Sequence, residues 1–390
     1  MLNFIYSMPT SIFFGKNQIE LLPEQIRKFG SKVLLVYGKG SIKRNGIFDI
    51  IAETLEKNEI EYFELSGIEP NPDIESVREG VKVCKENNID LILAVGGGST
   101  IDCSKLISVG YYYDGDPWDI LSQNIEVTKA LPIGVVLTMA GTGSEMDSVA
   151  VIANREEKQK LSIMNSIVAP QFSILDPCYT FTLSKAQTAA GVADIMSHVL
   201  ESYLTLDEGA YLQNRLAEGI LKTCIKYGKI VCDEPDNYEA RANIMWAASN
   251  ATNGLIYCGK TINWSVHGIE IGLNTYYNLT HGVGLAILTP VWMEYVLDDE
   301  RVDYFVEYGI NVWDIDKNKD KYEIANGTID KTREFFKSIG LPQTLRDVGI
   351  GEENLENMAR YSIGNQEDGL IGNFKPLNYN DVLNILKQAL

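Results

Sequence analysis

Four apolar runs punctuate the first half of the chain, each short, rich in β-branched residues and closed by glycine. They are KVLLVYG at 32–38, IEYFELSG at 60–67, LILAVGGG at 91–98 and LPIGVVLTMAG at 131–141. Between them lie polar stretches such as FDIIAETLEKNE and ESVREGVKVCKENN, whose apolar residues recur at helical spacing. A strand that is apolar throughout must be covered on both faces. The repetition of strand, helix and strand therefore predicts a parallel sheet sandwiched by helices.

After QFSILDPCYTFTLSKAQTAA the texture changes to long helical patterns, such as EARANIMWAASNATNGLIY, with few plausible strands. TLSKAQ reads as a capped helix start, which puts a boundary near residue 183. The expectation is two domains, an α/β domain over 1–183 and a helical domain over 184–390, in keeping with a length of 390 residues.

With 45% hydrophobic and 22% charged residues and no low-complexity tract, the chain reads as an ordinary folded protein rather than a disordered one. A formal charge of −19, spread along the whole length, disfavours nucleic acid and anionic membrane as general partners. The six cysteines form neither a C-x-x-C pair nor a dense framework, and neither a targeting nor a membrane segment is read; a cytoplasmic location is expected.

Three glycine-rich turns follow predicted strands: YGKGS at 37–41, VGGGSTIDCSK at 95–105 and AGTGSE at 140–145. All fall where open α/β sheets bind ligands, at the carboxyl ends of strands. In the second, Gly96, Gly97 and Gly98 leave the backbone bare, and Ser99 through Asp102 resembles a capping box opening the next helix, so free N–H groups there suit a phosphate. A steric need at strand-to-helix turns explains any one such loop, but three in one half-chain favour a nucleotide.

The first turn, with Gly38, Gly40 and Ser41 as candidate cofactor contacts, lacks the last glycine of the dinucleotide fingerprint. It also lacks an acidic residue for a ribose 2′-OH, while Lys39, Ser41 and Lys43 could receive a 2′-phosphate. That leans towards NADPH.

The chain has three histidines, His198, His267 and His281, all in the second half. Asp194 and His198, in GVADIMSHVLESYL at 191–204, are four positions apart. A helix over 185–203 would put both on one face, about 6 Å apart along the axis. Such a pair can be purely structural, with the other histidines in core or loops. That all three share one half, and that His267 and His281 precede glycine, favours a site of three nitrogens and one oxygen suited to Fe(II) or Zn(II). Trp264, Tyr276 and Tyr277 are expected as core residues.

The run GGGSTIDCSK resembles the phosphate-binding signature of the iron-containing alcohol dehydrogenases. AGTGSE, AGVADIMSHVLESYL and THGVGLAILTP resemble that family's other blocks in the same order, and the resemblance spans essentially the whole chain. VYGKGSIKRNGIFD, ELSGIEPNP and YGINVW are most similar to its butanol dehydrogenase branch. The resemblance implies a Rossmann-like N-terminal domain and an all-helical C-terminal domain, the dehydroquinate synthase-like fold. It implies a divalent metal, iron or sometimes zinc, held by Asp194, His198, His267 and His281. It places a diphosphate on Gly97, Gly98 and Ser99, with Asn71, Asp102, Thr138, Thr142 and Lys160 as further nucleotide contacts. Several relatives carry another histidine four residues after the third ligand, where this chain has Ile271, so a relay through that imidazole is not expected.

The activity so implied is that of an NAD(P)H-dependent alcohol dehydrogenase or aldehyde reductase for a small primary alcohol such as butanol, acting as a homodimer. The metal would polarise a carbonyl while hydride passes to or from the nicotinamide. A glycerol dehydrogenase or dehydroquinate synthase-like enzyme of the same fold is the nearest alternative, and a non-catalytic nucleotide sensor an alternative of another class.

Overall fold

The computed structural model describes residues 1–207, 209–364 and 369–390. Two compact units emerge, neither contiguous in the chain. One comprises Ser7–Leu183 with Asp236–Asn253, the other Met1–Tyr6, Ser184–Pro235 and Gly254–Leu390.

The first unit is built on a six-stranded sheet of β1 (Ser11–Phe14), β2 (Lys32–Gly38), β3 (Glu61–Ile68), β4 (Leu91–Gly96), β5 (Ile133–Leu137) and β8 (Phe172–Leu175). A separate antiparallel hairpin pairs β6 (Val149–Asn154) with β7 (Gln159–Met164). The large sheet is parallel throughout, in the order β1-β8-β5-β4-β2-β3.

Because side chains alternate across a strand, each apolar run feeds two cores. Leu34, Val36 and Ile92 join Val77 and Ile107 on one face; Val33, Leu35, Leu91 and Leu93 join Ile26, Ile51 and Leu55 on the other. This double burial is why the strands read as continuous rather than alternating apolar runs.

After β2 the chain builds β3 on one side, then returns to place β4 on the other. The order of strands therefore reverses between β2 and β4, the topological switch point at which doubly wound sheets leave a crevice. The loops closing those two strands are the first two glycine turns.

The second unit is helical. Its main elements are the helices Lys185–Tyr203, Tyr211–Asp233, Ser265–Tyr277, His281–Val296, Val302–Trp313 and Lys321–Ser338, followed by Leu355–Ile363 and Tyr379–Gln388. The first opens on the expected cap: Ser184 Oγ accepts from Gln187 N, and the Gln187 side chain returns to the Ser184 backbone. This helix is buried almost all round and packs against both Tyr211–Asp233 and His281–Val296. No helix among the described residues is long and apolar enough to cross a membrane.

Two local expectations are corrected. The glycine-loop helix, Gly98–Gly110, starts two residues earlier than a capping box at Ser99 requires, with Gly97 as its uncapped N-cap. Ser99 Oγ instead accepts from Asn71 N at 3.2 Å, and Asp102 turns to other partners. The break between the second and third histidines is Asn278–Thr280, so most of NTYYN is helix.

Candidate metal centre and nucleotide loops

Asp194 and His198 lie on one face of the Lys185–Tyr203 helix, as their spacing requires, with His198 Nδ1 3.3 Å from Asp194 Oδ1. His267 occupies the first turn of Ser265–Tyr277, and His281 is the first residue of His281–Val296. His281 Nε2 lies 3.7 Å from the same Asp194 oxygen. The rings of His267 and His198 have centroids 4.6 Å apart, and those of His267 and His281 5.2 Å apart.

One ligand atom from each of Asp194, His267 and His281 lies within 4.8 Å of the other two. Asp194 is buried, and its Oδ1 has no hydrogen-bond donor. A buried carboxylate oxygen without a donor costs free energy unless a cation meets it. A donor set of one carboxylate and three imidazoles fits Fe(II) or Zn(II).

The helices can converge because of one close approach. A Cβ on Gly282 would lie 2.0 Å from the Ala190 carbonyl oxygen, so the His281 helix abuts the Asp194 helix through a residue that must be glycine. Gly268 has no such constraint, its nearest neighbour being Ile371 at an ordinary 3.5 Å. The glycine after His281 thus serves helix packing, not access for a ligand.

Three residues around the histidines escaped the sequence reading. Glu201 lies seven positions after Asp194, on the same helical face, and is 2% exposed. Its Oε1 accepts from the backbone N–H groups of Val266 at 2.5 Å and His267 at 3.1 Å. Glu201 thereby caps the His267 helix from a neighbouring element, and burial raises its carboxyl to about 7. Glu270, also buried, meets His281 Nδ1 through Oε2 at 2.6 Å.

The third, Trp264, stands edge-on to His267 and His198, with centroids 5.0 and 6.1 Å away. It is 40% exposed and has a left-handed backbone, φ 52°, so it is no core residue. Tyr276 is exposed as well. The visible signals were position i−3 to His267 for Trp264, and acids on an otherwise apolar helix face for the two glutamates.

The other unit gathers the nucleotide candidates around the carboxyl ends of its central strands. Gly38 ends β2, Gly40 is left-handed at φ 98°, and Ser41 starts the short helix Ser41–Arg44. Gly97 and Gly98 lead into the glycine-loop helix, whose first N–H groups and dipole suit a diphosphate. Thr142 packs so closely that its Oγ1 would lie 2.5 Å from a Cβ on Gly98. Thr138 N donates to the Gly96 carbonyl at 2.9 Å. Lys160 Nζ donates to Asn71 Oδ1 at 3.1 Å, and Asn71 N to Ser99 Oγ, so these three form one chain of contacts.

Asp102 accepts from Ser144 Oγ at 2.7 Å and from Val151 N at 3.0 Å, and burial raises its carboxyl to about 6. Beneath it Lys105 is fully buried, its ammonium bonded to Ser144 Oγ at 2.9 Å, Asp147 Oδ1 at 2.5 Å and the Val149 carbonyl at 2.8 Å. The ion pair ties the helix after the glycine loop to the segment leading into β6. The lysines expected to meet a 2′-phosphate already have acidic partners: Lys39 pairs with Glu69, and Lys43 with Glu64 at 2.9 Å.

Residues 9–177 match the family model for iron-containing alcohol dehydrogenase, and residues 188–390 match the C-terminal model of the same family. The chain belongs to the iron-containing alcohol dehydrogenase family. Among its relatives is NADH-dependent butanol dehydrogenase A of Clostridium acetobutylicum, 57% identical over the full length of both chains. The NADPH-dependent aldehyde reductase YqhD of Escherichia coli is 40% identical over 90% of each chain. The crystal structure of a Thermotoga maritima protein named NADH-dependent butanol dehydrogenase A superposes with a TM-score of 0.96 at 37% identity, covering 100% of this chain and 99% of the other. The family and these relatives make the chain an enzyme, an oxidoreductase of the iron-type alcohol dehydrogenase and aldehyde reductase class. Its Rossmann-like sheet unit and helical unit are the architecture the sequence resemblance implied.

Proposed function

We propose that this iron-containing alcohol dehydrogenase family member interconverts small primary alcohols and aldehydes, butanol and butanal among them, using NADH and a divalent ion, Fe(II) or Zn(II). Asp194, His198, His267 and His281 hold the ion, and the observation that carries this is the buried Asp194 Oδ1, without a hydrogen-bond donor and faced by His198 and His281 nitrogens. When bound, the ion supplies Lewis acidity to a carbonyl oxygen and the nicotinamide supplies the hydride.

What the chain's own residues do follows from their placement. Gly97, Gly98 and Ser99 receive the diphosphate at the helix N-terminus, flanked by Gly38, Gly40 and Ser41, with Asn71, Thr138, Thr142 and Lys160 around it. Asp102 keeps part of its surface exposed while holding Ser144 and Val151. The three histidines are all assigned to the ion, with Asp194, His267 and His281 converging and His198 beside Asp194, and Ile271 occupies the next turn of the His267 helix, so no fourth imidazole is available and protons pass through water or the ribose hydroxyls.

NADH is placed ahead of NADPH, replacing the lean drawn from Lys39 and Lys43. Glu69 and Glu64 accompany those lysines and would repel a 2′-phosphate. Relatives at 57% and 55% identity are named NADH-dependent. A homodimer is supported by exposed apolar residues near the N-terminus, Leu2, Phe4 and Ile5, and by the position of β1 at one edge of the sheet. The six free cysteines support a reducing cytoplasm.

The test is anaerobic purification with Fe(II) or Zn(II), followed by NADH and NADPH oxidation with butanal, other short aldehydes and dihydroxyacetone. Butanal turnover with NADH, lost together with bound metal in His267→Ala, is expected. Full turnover and unchanged metal content in His267→Ala would refute the assignment.

A further inference from the structure

We propose that Glu270 is the positioning residue of His281, holding its imidazole with the proton on Nδ1 so that Nε2 presents its lone pair towards Asp194. The inference rests on the metal-site reading above and extends it beyond the four ligands to the residue that orients one of them.

Glu270 sits three positions after His267 on the Ser265–Tyr277 helix, yet its carboxylate serves the next helix, meeting His281 Nδ1 at 2.6 Å. It is 0% exposed, and its other oxygen, Oε1, has no hydrogen-bond partner. A buried carboxylate with one contact is an expensive way to fill space, and apolar residues of similar size would pack there without that cost.

Room for it is made across the interface. A Cβ on Gly284 would lie 2.8 Å from Glu270 Cγ and 3.1 Å from Oε1. Gly284 follows His281 by three positions, so the helix that carries the imidazole also provides the space for its partner carboxylate.

The proton's place follows from the donor inventory. A carboxylate oxygen 2.6 Å from Nδ1 is best met by an N–H there, and in a neutral imidazole that leaves Nε2 as the acceptor. The opposite tautomer would put the proton on Nε2, where the 3.7 Å separation from Asp194 Oδ1 is too long for a hydrogen bond. A carboxylate behind a ligating histidine fixes the ring's orientation and raises its basicity; losing it typically weakens metal binding about 10- to 100-fold.

With three histidines in the chain, tautomers can be read directly by two-bond ¹⁵N–¹H correlation on the zinc-loaded full-length protein, the His281 signals being those absent from His281→Asn. The expected result is a proton on Nδ1 of His281 in the wild type, its ¹H signal shifted downfield by the bond to Glu270, with that downfield shift lost in Glu270→Ala. Zinc affinity, measured by competition with a chromophoric chelator, should fall roughly 10- to 100-fold in Glu270→Ala. It should stay near wild type in Glu270→Gln, whose amide oxygen still accepts, and drop in Gly284→Ala, which displaces the carboxylate. If Glu270→Ala fails to fold by far-UV circular dichroism, the wild-type tautomer and the Gln and Gly284 variants decide the matter. A proton on Nε2, or unchanged affinity in Glu270→Ala, overturns the inference. Unchanged affinity in His281→Asn would overturn the metal-site reading itself.

Discussion

The carboxylate of Glu201 accepts a hydrogen bond from the backbone N–H of His267 at 3.1 Å, so the helix that carries Asp194 and His198 also fixes the start of the helix that carries His267. Val266 N donates to the same oxygen. Removing this acceptor strands two buried donors, at about 1–3 kcal/mol each. Glu201→Ala is therefore expected to lower the denaturant midpoint substantially and to weaken metal retention. Glu201→Gln, which keeps an acceptor oxygen, should recover most of both. Equal loss in the two variants would show that charge, not capping, is what Glu201 contributes.

Lys105 uses all three of its ammonium protons, on Ser144, Asp147 and Val149, while fully buried. Lys105→Met preserves much of the volume but leaves Asp147 without its cation, a change that typically costs about 3–5 kcal/mol. Because Ser144 also bonds Asp102, three residues after Ser99 in the glycine-loop helix, the change disturbs that turn, and KM for NADH should rise more than kcat falls. A chemical melt and a cofactor titration of the metal-loaded enzyme check both. A normal cofactor KM in a destabilised but folded variant would confine Lys105 to stability.

How far the sequence could be read depended on whether information was local. β2, β4 and β5 were legible because they are buried along nearly their whole length, and β3, exposed at half of its positions, was legible from its apolar residues and the glycine near its end. β8 has only four residues, and β6 and β7 form a hairpin whose strands are half exposed, so their sequences, VAVIAN and QKLSIM, carry weak signals. Asp194 and His198 were legible as an i, i+4 pair. Their meeting with His267 and His281 was not, since it depends on the Gly282 backbone lying against Ala190. Glu201 and Glu270 read as ordinary helix acids until burial is known, although the apolar character of the Lys185–Tyr203 helix on every side already implied that any acid there is enclosed.

Trp264 presents its edge to His267 and His198 from a strained left-handed residue that leaves the indole partly exposed. A wall of this kind next to the histidines should select aldehydes by shape. Trp264→Ala is expected to raise KM for butanal roughly tenfold, the scale of a lost apolar contact, with a smaller change for acetaldehyde and unchanged metal content. Steady-state kinetics across aldehydes of increasing length measure this; a uniform loss for all lengths would deny the indole a role in selection.

Glu145, in the AGTGSE turn, is buried, and its carboxyl is raised from 4.5 to about 7 chiefly by that burial, against the hydrogen bond from Ser249 Oγ at 2.5 Å. The folded state thus holds this proton more tightly than the unfolded chain does. Its contribution to stability is fully present below the unfolded value near 4.5 and is lost as pH rises through about 7. Above that, the ionised wild type carries a penalty on the order of 3 kcal/mol relative to a neutral isostere. Glu145→Gln keeps an acceptor for Ser249 without the charge. Its stability should match the wild type below the unfolded value near 4.5 and exceed it by a margin that widens up to about pH 7 and then holds constant. Denaturant midpoints of both proteins at successive pH values test this, with Asp102, raised in the same direction, present in both and so largely cancelling. A difference that does not vary with pH would mean that Glu145 stays ionised within the fold, leaving the burial of its carboxylate to be offset by Lys105 and the Ser249 hydroxyl instead.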